Sequence, residues 1–145
     1  GEARDVRRVE PGQAVGGPTW TAQWEDVAIV DVPPSHADAR LACDCLFGAA
    51  DDGRLDPQRY AAVRISRVQN LSLRRRYEIE REDMARERGP DRVNERLLFH
   101  GTRRHDPVAV ARDRDGFMVE RGGGSSYYGC GCYFAETPRY ALHYA

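Results

Sequence analysis

From Arg121 to Gly131 the chain reads RGGGSSYYGCG, five glycines in eleven residues. Glycine loses more backbone freedom on folding than any other residue and brings no side chain to a core. The run is therefore neither helix nor strand. It reads as a flexible loop, and loops of this kind often cover a ligand. It is not a dinucleotide fingerprint, because no G-x-G-x-x-G occurs and no strand feeds it into a helix. Elements on its two sides can meet only through tertiary contacts, so the flanks decide what the chain becomes.

On the N-terminal flank, Leu97, Leu98 and Phe99 form an apolar run that ends in His100, Gly101 and Thr102. This predicts a strand delivering a turn. Taken alone, His100 there is a satisfied structural histidine. Asp106 then caps a short helix with Pro107 at its first position and Gly116 as its stop. On the C-terminal flank, CYFA (Cys132 to Ala135) is another short strand, and Thr137 and Pro138 open a final helix, PRYALHYA.

Further upstream, residues 1–18 are polar and rich in Gly and Pro and read as a linker, with the folded part at 19–145. VAIVDV (Val27 to Val32) is a β-branched strand stopped by Pro33 and Pro34. Ser35 caps the next helix with Asp38 three residues on, and Ala37, Leu41 and Cys45 line its buried face. Ala49 to Pro57 is a loop. Tyr60 to Asn70 carries Val63 and Ile65 at alternate positions, as a half-buried strand requires. LSLRRRYEIEREDMARERGP (Leu71 to Pro90) is a long helix with Leu73, Tyr77 and Met84 on one face and Gly89-Pro90 as its end. Strands and helices in this mixed order give the α+β class.

Charge narrows the partners. Arg74, Arg75 and Arg76 could form a nucleic-acid patch, but Glu78, Glu80, Glu82 and Asp83 follow at once and cancel it. The net charge of −1 offers no general attraction to nucleic acid or anionic lipid. No stretch approaches the length of a membrane span, and no apolar signal core opens the chain. The chain starts at Gly1 without methionine, which suggests excision from something longer. Cys43 and Cys45, like Cys130 and Cys132, are separated by one residue, whereas zinc sites space cysteines by about two to four. Plain thiols, no metal, and an intracellular location in nucleus or cytoplasm are expected.

Taken in order, VRISRVQN with the following Leu and Tyr, NERLLFHGT (Asn94 to Thr102), GF (Gly116-Phe117) and YGCGCYFAETPRYALHYA (Tyr128 to Ala145) closely resemble the poly(ADP-ribose) polymerase catalytic domain. The likeness is detailed from Val63 to Ala145 and reaches loosely back to PTW (Pro18 to Trp20), which looks like the start of the mono-ADP-ribosylating branch. HGT alone is a weak signal. Joined to YGxGxYFA about thirty residues later, it is specific.

The resemblance implies the ADP-ribosyltransferase fold: two antiparallel sheets with flanking helices, of which 19–145 would be the N-terminal two-thirds and lack the C-terminal strands. It implies NAD as substrate and no metal. The reaction would pass ADP-ribose to protein side chains, the enzyme's own among them, with release of nicotinamide. His100 and Tyr133 would be the catalytic pair, His100 holding a ribose hydroxyl and Tyr133 stacking on nicotinamide. Gly101 would offer its bare backbone to the carboxamide, and Thr102 and Tyr128 would be wall residues. Family members usually carry a serine eight residues after the motif tyrosine, where this chain has Ala141. The stacking tyrosine three residues further on is present as Tyr144. The third signature position lies beyond Ala145, so polymer and single-unit transfer stay open, with single-unit transfer preferred. A catalytically inactive NAD-binding or interaction module of the same fold is the alternative, and Ala141 favours it.

Overall fold

β1 (Val27–Asp31) and β2 (Ser66–Asn70) pair antiparallel in a computed structural model that describes residues 20, 25–49, 52–103, 105–118 and 129–145. The register sets Val27 opposite Asn70, Ile29 opposite Val68 and Asp31 opposite Ser66. β-Branched residues dominate β1, where they pack well on a pleated surface. At its end the Asp31 carboxylate accepts from the Ser66 hydroxyl (2.7 Å) and from Arg64 Nε (2.9 Å). Those two bonds, Ser66 first, hold the Asp31 carboxyl below the usual range.

The described helices are α1 (Ala37–Leu46), α2 (Leu71–Arg88), α3 (Pro107–Arg112) and α4 (Pro138–Leu142), and a 3₁₀ turn at Pro90–Arg92 follows α2. α2 spans what its pattern predicts, and Gly89 ends it at φ 92°, a conformation that favours glycine. Several of its arginines are paired: Arg74 with Glu78, Arg76 with Asp115, and Arg86 with Asp83. α3 starts as its sequence requires, with the Asp106 carboxylate accepting from the Val108 N–H at 2.9 Å. Among the described residues no helix is long and apolar enough to cross a membrane.

Several expectations are corrected. His36, not Ser35, caps α1: its Nδ1 accepts from the Asp38 N–H at 3.1 Å. Asp38 is drawn away by Arg67, whose guanidinium donates to it at 2.7 Å and also to the fully buried Gln69. The buried face of α1 centres on Ala39, which is small enough for close approach, whereas Leu41 is exposed. The second strand is shorter than Tyr60 to Asn70, and Val63 is 98% exposed. α3 stops at Arg112, four residues before Gly116, which instead turns at φ 72° with the Leu73 side chain 3.2 Å from where a Cβ would lie. Leu97 to Phe99 and Cys132 to Ala135 do not extend into strands. Among the described residues there is one two-stranded sheet, and these segments meet in a single antiparallel bridge, Phe99 to Ala135. The expected linker at 1–18 lies outside the described residues.

Asn70 joins sheet, α2 and α3. It is 4% exposed, its Oδ1 accepts from the Leu73 N–H at 3.0 Å, and its Nδ2 donates to the Ala111 and Asp113 carbonyls. One side chain thus caps the start of α2 and ties down the end of α3. Asn70→Ala should cost about 2 kcal/mol in denaturant unfolding, a lost cap plus buried carbonyls left short of a donor. An unchanged midpoint would show that these bonds are replaced by water at no cost.

Candidate active site

Two segments far apart in sequence are stitched at one point. Phe99 and Ala135 exchange both backbone hydrogen bonds, each 2.8 Å. The next residue on one side is His100, and the second residue back on the other is Tyr133. The histidine Nδ1 lies 2.8 Å from the Tyr133 carbonyl oxygen. A carbonyl can only accept, so Nδ1 carries the proton. In the neutral ring that leaves Nε2 as an acceptor, suited to a hydroxyl donor such as a ribose O–H. An ion pair between Arg96 and Glu136 flanks the bridge on its upstream side.

The His100 ring sits among aromatics. Phe117 meets it edge-on at 4.7 Å, Phe134 lies 5.2 Å away, and the two phenylalanines contact each other at 5.0 Å. Such contacts fix ring orientation beyond simple burial. The sequence reading missed both phenylalanines as site residues. The available signal was position: each lies within a motif stretch, Phe117 after the turn at Gly116 and Phe134 directly after Tyr133.

Tyr133 is half-exposed, and its phenol donates to the Gly129 carbonyl at 2.5 Å. The turn from Gly129 to Tyr133 therefore closes on itself while its last carbonyl holds His100.

Gly101 has a packing role that its sequence position does not announce. A Cβ there would lie 2.5 Å from the Ala141 oxygen and 2.5 Å from the Tyr144 carbonyl carbon and oxygen. The end of α4 fills the space a side chain would need. This seats Ala141, which is buried, and Tyr144 directly beside the histidine motif. α4 is fixed at its other end by the 52–54 turn, where the Gly53 carbonyl accepts from the Arg139 N–H at 3.1 Å. Arg103, at φ 50° in the turn after Thr102, sets its guanidinium 5.6 Å from the centre of the Tyr144 ring. This is a cation–π contact that no sequence signal suggested. The Thr102 carbonyl accepts from the His105 N–H at 2.9 Å and closes that turn.

Six of the seven expected site residues thus converge: His100, Gly101 and Thr102 in one turn, Tyr133 across the bridge, and Ala141 and Tyr144 on and after α4. Tyr128 lies outside the described residues. The approach to His100 is anchored from behind, where the Tyr77 phenol donates to the Glu95 carboxylate and Arg81 pairs with the same group. Desolvation, then the bond to Glu95 and its charge, push the Tyr77 phenol up to about 12.

All four cysteines are free. Cys43 and Cys45 lie on α1, whereas Cys130 and Cys132 lie in the turn before Tyr133. Metal analysis of purified protein should accordingly find zinc well below stoichiometric. A tightly held equivalent would force the two cysteine pairs together and overturn this arrangement.

Comparison with known proteins meets this geometry from the sequence side. The family model of the poly(ADP-ribose) polymerase catalytic domain matches residues 51–145. Protein mono-ADP-ribosyltransferase PARP12 from Homo sapiens is 37% identical over 86 residues, which covers 59% of this chain and 12% of that protein. PARP12 from Mus musculus is 35% identical over the same length and shares. A probable poly [ADP-ribose] polymerase from Dictyostelium discoideum is 33% identical over 90 residues, 59% of this chain and 26% of that protein. The chain thus spans a small part of the curated relatives it matches. With the matched stretch containing β2, the histidine turn, the tyrosine turn and α4, the chain belongs to the poly(ADP-ribose) polymerase catalytic-domain family, whose fold is that of the ADP-ribosyltransferases.

Proposed function

We propose that this chain belongs to the catalytic domain of a NAD-dependent ADP-ribosyltransferase that moves single ADP-ribose units to protein side chains and releases nicotinamide. The observation that carries this is the 2.8 Å contact of His100 with the Tyr133 carbonyl, which joins the histidine turn to the tyrosine turn inside the stretch that the family model matches. The naming of two relatives as mono-ADP-ribosyltransferases supports single-unit transfer. The same reading sets the protein inside the cell, in nucleus or cytoplasm.

In this reading Nε2 of His100 accepts from a ribose hydroxyl, Tyr133 and Tyr144 flank the nicotinamide, and the Gly101 backbone meets the carboxamide. Breaking the glycosidic bond develops positive charge on the ribose, and a preorganised polar site favours that more than a covalent nucleophile would. The three-ring cluster around His100 keeps its orientation fixed before substrate arrives. Automodification by the full-length protein with labelled NAD tests the proposal. Incorporation of single units supports it. NAD binding without incorporation would instead identify an inactive NAD-binding module.

Ala141 bears on affinity rather than on activity. It sits in the interface between α4 and Gly101, where the serine of other family members would add one hydroxyl. A neutral hydrogen bond contributes roughly 0.5–1.5 kcal/mol net, about a threefold to tenfold change in affinity. Ala141→Ser should tighten nicotinamide-like inhibitors by that factor in a titration. No change would place the carboxamide away from residue 141.

A further inference from the structure

We propose that Cys130 and Cys132 form a dithiol–disulfide couple, closed by a hydroperoxide, and that closure draws Tyr133 away from His100. The bridge itself stands on the cysteines alone, while its effect on NAD rests on the function proposed above.

The backbone bends at Gly129, Cys130 and Gly131, with Gly129 at φ 94°. Two Cα atoms separated by one residue of a bent chain lie about 5–7 Å apart, within reach of the roughly 4.4–6.8 Å that a disulfide spans. Among the described residues, a Cβ at Gly131 between them would meet only Tyr133 Cε2, at 4.0 Å, so none of those residues crowds the turn. Cys130 is exposed, so a small oxidant reaches it. Cys43 and Cys45 have the same spacing but lie on α1, where side chains two apart do not face each other. They are a built-in negative control.

The chemistry balances with one hydroperoxide. A cysteine sulfur attacks the terminal peroxide oxygen, the O–O bond breaks, and the leaving oxygen takes a proton as alcohol or water. The sulfenic acid so formed is attacked by the second cysteine sulfur. Its S–O bond breaks, and the hydroxyl leaves as water with the second thiol proton. Exposed or strained disulfides are the readily reduced ones, so a small dithiol reverses the step.

The consequence follows from two hydrogen bonds. The Gly129 carbonyl accepts from the Tyr133 phenol, and the Tyr133 carbonyl accepts from His100. Pulling Cys130 towards Cys132 rearranges the turn that makes both.

The test treats the full-length protein with hydrogen peroxide, maps the thiols by mass spectrometry and measures NAD affinity on the same samples. The expected result is loss of two hydrogens in the segment holding Cys130 and Cys132, with NAD affinity lower by roughly tenfold, as for one lost stacking partner. Dithiothreitol should restore both, and Cys130→Ser or Cys132→Ser should show neither. If both thiols stay alkylatable while oxidation occurs elsewhere, the couple does not exist. If the bridge forms with NAD affinity unchanged, the coupling to Tyr133 is wrong. If the reduced protein binds no NAD, the proposed function falls and takes the coupling with it, while the mapping still decides the bridge.

Discussion

Gly101→Ala should unseat α4 and cost the domain about 3 kcal/mol, near the upper end for an overpacked site. The reason is what the new methyl would meet. Its position lies 2.5 Å from the Ala141 oxygen and from the Tyr144 carbonyl carbon and oxygen. These are backbone atoms, so no rotamer change makes room and the helix end must move. Gly48 supplies the contrast. A Cβ there meets Arg54 Cδ at 2.6 Å, the middle of a flexible side chain that can swing aside. Gly48→Ala should therefore be far milder. Denaturant unfolding of the two variants measures the difference, and hydrogen exchange locates it. Lost protection confined to α4 supports the packing role, whereas intact protection with lost NAD binding would assign Gly101 to the ligand alone.

That glycine shows where sequence reading ran short. Its lack of a side chain was legible as access for a ligand, but its packing role was not, because the atoms that need the space come from the end of a helix about forty residues on. The end of α2 and the start of α3 were legible for the opposite reason. They depend on residues within a few positions: Gly89 for α2, and Asp106 and Pro107 for α3. At α1 the local signal was outweighed from a distance, since Arg67 on β2 holds Asp38 and leaves the cap to His36. The apolar run at Leu97 to Phe99 promised a strand. A strand exists only with a partner, and the described partner is the one residue Ala135. Within the candidate site, the motif residues stood out because they sit in two short stretches whose order and spacing resemble the family's. Phe117, Phe134 and Arg103 did not, because they act by enclosing His100 or covering Tyr144, and many residue orders can do that.

The largest loss of NAD binding is expected from His100→Ala. Three contributions disappear together: the Nδ1 donor to the Tyr133 carbonyl at 2.8 Å, the Nε2 acceptor it leaves free, and ring contacts to Phe117 and Phe134. A net hydrogen bond of about 1 kcal/mol and an aromatic contact of about 1 kcal/mol already make roughly thirtyfold in affinity. Disorder of the Tyr133 turn adds to that. His100→Phe separates packing from chemistry, because a benzene ring can rest against both phenylalanines while offering neither nitrogen. It should unfold near the wild-type midpoint and still bind NAD weakly. Tyr133→Phe should lose less than Tyr133→Ala, since the ring stays and only the bond to the Gly129 carbonyl goes. Isothermal titration with NAD on the four variants reads all of this. Wild-type affinity in both His100→Phe and Tyr133→Ala would mean that NAD binds somewhere other than at the junction of these two turns.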